Sequence, residues 1–183
     1  MRPILLLSLA TLSGCATHTP SAGAGVSPET VRIVGPSGTT TLSRMVRAGA
    51  PAAVTAVAAP LDSAWRALPS VYASLEIPLT TLDAAQHLLG NEGMRVRRTL
   101  AGESLTRYLD CGATQGGPNA ETYEVTMAVL TQLQPGAADS TIVATAVQAS
   151  ARSPSFSGAD VACSSTRRLE ARIAALLGDQ LKR

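Results

Sequence analysis

The sequence predicts an α+β domain: a curved antiparallel sheet with a kinked helix and a C-terminal helix packed on one face. Three observations predict it. Apolar residues recur at helical spacing in two stretches, around 61–75 and 169–177. Between them runs a series of short extended segments ending in a long hairpin over 121–151. The composition, 45% hydrophobic but only 3% aromatic, leaves Ala, Val, Leu and Ile to build the core, which suits β-branched strands.

The chain opens on Arg2, Pro3 and the apolar run Ile4 to Leu12, too short for a permanent membrane helix and patterned as an export signal. Residues Ala16 to Pro28 have no hydrophobic period and are rich in small side chains, so they read as a tether spanning roughly 20 Å. The expected organisation is therefore a signal over 1–14, a modified residue and tether over 15–29, and one globular domain over 30–183. Val31 to Val34, the turn residues Gly35-Pro36-Ser37-Gly38 and the β-favouring Thr39 to Val46 predict a hairpin. After a break at Gly49 to Pro51, Ala52 to Ala59 reads as a buried strand ended by Pro60.

Leu61, Trp65, Leu68, Tyr72 and Leu75 then fall on one helical stripe, with Asp62 or Ser63 to cap its start and Pro69 to kink it. Short extended segments follow at Leu79 to Leu82, Ala85 to Leu89, Met94 to Leu100 and Ser104 to Leu109. The sequence Gly90-Asn91-Glu92-Gly93 predicts a hairpin turn. Glu121 to Leu133 places Tyr123, Val125, Met127, Val129 and Leu133 on one face, and Thr141 to Ala151 alternates in return. Together with Ser104 to Leu109 these would make an antiparallel meander. Ser164 or Ser165 is the expected cap of a last helix whose Leu169, Ile173, Leu176 and Leu177 share a side.

The end of the export signal carries a more specific pattern, Leu12-Ser13-Gly14-Cys15. It resembles the lipobox of bacterial lipoproteins. The resemblance implies cleavage between Gly14 and Cys15, lipidation of Cys15 and stable anchoring through several acyl chains. With Ala16 after the cysteine rather than Asp, it implies an outer-membrane lipoprotein facing the periplasm. The order of elements in the domain resembles the helix-grip arrangement and the domains of the lipoprotein subunit of the outer-membrane β-barrel assembly machine. That likeness bears on architecture alone.

Lipidation of Cys15 leaves Cys111 and Cys163, and an exported chain meets oxidising conditions, so a disulfide is expected between them. Closing a loop of about fifty residues is worth roughly 4 kcal/mol by chain entropy. Losing Arg2 leaves 14 basic residues against 13 acidic ones, a balance that argues against nucleic acid or an electrostatically bound lipid surface as partner.

Catalytic chemistry is sparse. The two histidines, His18 and His87, fall in the tether and a predicted strand, so no Ser-His-Asp set can be assembled. Phosphate-loop, dinucleotide, nucleophile-elbow and metal-spacing motifs are missing from the sequence, and no cofactor is expected. Arg95, Arg97 and Arg98 read as the wet face of a strand or a partner patch. Arg167 and Arg168 read as solvated side chains. Two loops, Asp110 to Asn119 and Ser153 to Asp160, should meet near the disulfide and bring Asp110, Asn119 and Asp160 beside Phe156, either as stapled surface loops or as a recognition surface. The expected function is a non-enzymatic envelope lipoprotein that binds another protein through this edge or the Arg95 strand. The second expectation is a carrier of a lipid or small apolar ligand between sheet and helix.

Overall fold

The computed structural model describes residues 52–155 and 158–183. It is an α+β fold in which an open, seven-stranded antiparallel sheet carries helices on one face. The elements are β1 (Ala53–Val57), α1 (Leu61–Ser74), β2 (Thr81–Asp83), β3 (Leu88–Val96), β4 (Thr99–Leu100) and β5 (Glu103–Ser104). A 3-10 turn (Leu105–Arg107) leads to β6 (Leu109–Asp110), β7 (Ala113–Thr114), β8 (Gly117–Pro118) and α2 (Asn119–Thr122). Then come β9 (Glu124–Pro135), β10 (Thr141–Arg152), β11 (Val161–Ser165) and α3 (Arg168–Gln180). The expected signal, lipobox, tether and Val31–Val46 hairpin lie outside the described residues.

The long hairpin predicted from alternation is the centre of the sheet. β9 and β10 pair along their whole length, from Thr141 opposite Pro135 to Arg152 opposite Glu124. A period of two sends Val125, Met127, Val129, Leu133, Val143, Val147 and Ala149 to the helix-covered face, where they join the main core. On its other side β10 is shared. β1 pairs with Thr141–Thr145 and β11 with Ala149–Ala151. The stretch expected as a buried strand over Ala52–Ala59 is therefore a short edge strand, with Val54, Thr55 and Ala56 exposed. Its five residues lie on one neighbour and gain burial only at Val57.

The segments after α1 depart most from the sequence pattern. Gly90-Asn91-Glu92-Gly93 is no turn; β3 runs through it and absorbs it as a register shift between Asn91 and Met94 against β9. Asn91 makes this tolerable, donating its Nδ2–H to the Pro78 carbonyl at 2.7 Å and accepting from the Gly93 N–H at 2.8 Å. The hairpin turn lies earlier, at 84–87, where Asp83 Oδ1 accepts from the N–H groups of Ala85 and Gln86. His87 belongs to that turn at φ 47°, not to a strand, with its ring edge-on to Trp65. Nor is Ser104 to Leu109 a strand of the meander. Ser104 accepts from the Thr106 N–H and starts the 3-10 turn, and the following β6 pairs with β11.

Both long helices bury the stripes that their spacing predicts. α1 contributes Leu68, Val71 and Tyr72, α3 contributes Leu169, Ile173 and Leu177, and all of them meet the same core. α1 continues across Pro69, and its start carries Pro60 without a side-chain cap, so neither Asp62 nor Ser63 acts as one. In α3 the cap position is Arg167, in a left-handed conformation, rather than a serine. Ser165 still fastens that end from outside the helix. Its Oγ accepts from the Arg167 N–H at 3.0 Å and donates to Glu170 at 2.6 Å.

One polar line crosses this core. The Tyr72 hydroxyl lies 2.8 Å from Thr131 Oγ1, which lies 2.8 Å from Thr145 Oγ1. Burial pushes the Tyr72 phenol far above its ordinary range, outweighing the hydrogen bond with Thr131. The unfolded phenol ionises near pH 10 and the folded one far higher. Stability is therefore whole below about pH 10 and falls as pH rises beyond it, by up to about 1.4 kcal/mol per pH unit. Tyr72→Phe is expected to remove that component. Urea unfolding of both chains between about pH 9 and 11 measures the difference in slope.

Candidate functional site

The side of α3 turned to β1 carries small side chains. Ala171, Ala174, Ala175 and Gly178 follow one another at helical spacing and let the helix pass close to β1. Between them lies a groove of about 550 Å³, floored by Thr55, Ala56 and Val57 and walled by those four residues. Its far end carries Leu181 and the ion pair of Lys182 with Asp179 at 3.2 Å. Thr55 stands opposite Val143, on the face that holds the helices, yet it is exposed because α3 leaves this space. Among the described residues, β1 pairs along one edge only, that of β10. An open backbone edge thus borders a wall with little side-chain bulk. Such an arrangement can accept an extended chain, with main-chain hydrogen bonds on one side and small side chains on the other.

A second, shallower groove of about 290 Å³ lies on the opposite face of the sheet. Glu92, Thr126, Gln148, Ser150 and Asp160 line it.

The residues singled out from the sequence are engaged in local bonds of their own. Arg95 and Arg97 both turn to Glu124, at 3.8 and 3.5 Å, so the predicted arginine patch is partly neutralised by the strand beside it. Arg98 occupies a tight bend at φ 62°, its carbonyl accepting from the Leu105 N–H. Asp110 Oδ1 accepts from the Gly112 N–H at 2.9 Å. Asn119 is buried and donates its Nδ2–H to the Cys111 carbonyl at 2.9 Å, which makes it a fastener of the loop rather than a recognition group. Asp160 pairs with Arg152 at 2.6 Å on the far groove, and its hydrogen bond and charge raise the Arg152 pKa. Phe156 lies outside the described residues. Asp110 and Asn119 are thus bonded within their own loop and Asp160 to Arg152, while the disulfide joins the two chain segments that carry them.

Cys111 and Cys163 are joined, with Cα atoms 4.1 Å apart. Ser164 stands opposite Asp110, so the two cysteines continue the β6–β11 ladder as its next pair. Between the layers, Leu68, Val71 and Tyr72 of α1 and Met127, Val129 and Leu133 of β9 belong to one buried apolar cluster. Among the described residues, no three His, Cys, Asp or Glu side chains are grouped to hold a metal ion. None of the described helices is long and apolar enough to cross a membrane.

The groove is not legible in the apolar stripe of α3 or in the extended pattern of β1. The spacing of the adjoining Ala and Gly positions is the one signal for it, and the strand they face lies more than a hundred residues away. No protein-family model matches the sequence, and a search of curated proteins finds no match.

Proposed function

We propose that this chain is a lipid-anchored envelope protein with a non-enzymatic, protein-binding domain. It is held by Cys15 at the periplasmic side of the outer membrane and receives an extended segment of a partner protein between β1 and α3. The observation that carries this reading is the open edge of β1 beside the small-residue wall of α3. An added strand would hydrogen-bond to backbone that β10 leaves unused, and its side chains would meet Ala171, Ala175 and Gly178. The lipobox-like Leu12-Ser13-Gly14-Cys15 supports the anchor, and the near-balanced charge supports a protein partner over a nucleic acid.

One experiment tests both halves. A photoactivatable amino acid at Thr55 in intact cells is expected to give one defined adduct with an envelope protein. Ala175→Trp, which fills the groove from its exposed wall, should reduce that adduct at least tenfold. Cys15→Ser should abolish fatty-acid labelling and release the chain from membranes without detergent. An adduct indifferent to Ala175→Trp would remove the groove from the function, and a Cys15→Ser chain that still labels with fatty acid would remove the anchor.

A further inference from the structure

The face of the sheet turned away from the helices is half dry. Leu130, Ala144 and Ala146 have no exposed surface and Leu88 retains 3%, and these four form a separate apolar cluster. Further along the same strands and on the same face, Thr126 and Gln148 are exposed. The described apolar residues packed on the cluster are Ala128, in the same strand as Leu130, and Ala52, just before β1. On an uncovered sheet face, a leucine flanked by alanines would be wet, because its neighbours are too short to shield it.

Polar groups mark the same place. Gln132, 4% exposed, neighbours Leu130 on this face and donates its Nε2–H to the Gln86 carbonyl at 3.1 Å. Its Oε1 and that of Gln86 are buried without a hydrogen-bond partner among the described residues. Two buried acceptors on residues that touch call for donors, since each unmet one is costly.

We propose that the occupant of this half-face is this chain's own segment Val31–Val46. The described residues start at Ala52, and Ala52 itself rests on the cluster, so the covering residues and this end of the described chain share one place. Reach is sufficient. The five residues 47–51, at up to about 3.5 Å each, cover roughly 17 Å, whereas crossing from β1 over β10 and β9 to β3 takes about 14 Å. The chemistry also fits. Val31, Ile33 and Val34, then Leu42, Met45 and Val46, supply apolar side chains for Leu130 and Leu88, and extended backbone supplies N–H donors for the two glutamine oxygens. This inference is independent of the groove between β1 and α3, which lies at the sheet edge on the other face.

Hydrogen exchange on the full mature chain carrying Cys15→Ser tests it. Amides within 31–46 are expected to exchange at least 100-fold more slowly than in an unstructured peptide. Leu130→Asp should restore fast exchange there while the β9–β10 amides stay protected. Should that variant fail to fold, a photoactivatable amino acid at the half-buried Ile142 gives a second readout: a link to peptide 31–46 at monomer mass. Exchange at the unstructured rate, or a link from Ile142 to a second copy or to another molecule, overturns the proposal.

Discussion

Replacing both Cys111 and Cys163 by serine is expected to lower the unfolding free energy by about 2–5 kcal/mol, a large share of what a domain of this size holds. The link closes a separation of 52 residues that contains the whole β9–β10 hairpin, so its loss frees a long loop in the unfolded chain. It also has a local task. β6 meets the sheet through only two residue pairs, Asp110 with Ser164 and Leu109 with Ser165, and the link extends that short ladder. Without it the loop held by Asn119 on the Cys111 carbonyl should open before the rest. Urea unfolding of the two chains measures the global loss, and hydrogen exchange over 105–123 measures the local one. A shift below about 1 kcal/mol would show that the ladder and core hold this end without the bond.

Gly90→Ala is expected to cost about 3 kcal/mol or more, although it adds a single methyl group. Gly90 lies in β3 at φ 152°, and a Cβ there would sit 2.1 Å from the Val129 carbonyl oxygen and 2.9 Å from Leu130 Cα. Both obstacles are backbone of the central strand, so no rotamer change relieves them. Gly93, three residues on, is the control: a Cβ there meets nothing within 4 Å, and Gly93→Ala should change stability by less than about 1 kcal/mol. Thermal and urea unfolding of the two variants give the contrast. Equal losses would mean that β3 can slide away from β9 at Gly90.

What the sequence made legible was whatever repeats locally and at length. The alternation from Val125 to Leu133, the Pro135-Gly136 break and the return from Thr141 place β9 and β10 correctly, because twelve-residue strands average out single exceptions. The Leu68–Tyr72 and Leu169–Leu177 stripes survive for the same reason, even across Pro69. Short pieces failed where one side chain decides the backbone. Asn91 lets β3 pass through a turn-like sequence, and Ser104 bends what alternation made a strand. Asp83 did advertise its turn by chemistry, but the glycines at 90 and 93 advertised louder. For the site, the arginine patch could not be weighed without knowing that Glu124 stands beside it, which depends on strand order. The groove depends on the approach of 53–57 to 171–182, and no local pattern encodes that meeting.

The divided flank of β10 sets a schedule for synthesis. Ala53 has its partner in Thr145, about ninety positions later, so at ribosomal speeds β1 waits roughly 5–20 s for its template to be made. The β9–β10 ribbon needs only its own turn and can zip within microseconds of emerging. β1 is consequently a late arrival, added to a finished ribbon, and a nascent chain of this kind is most vulnerable to chaperones and proteases at its leading end.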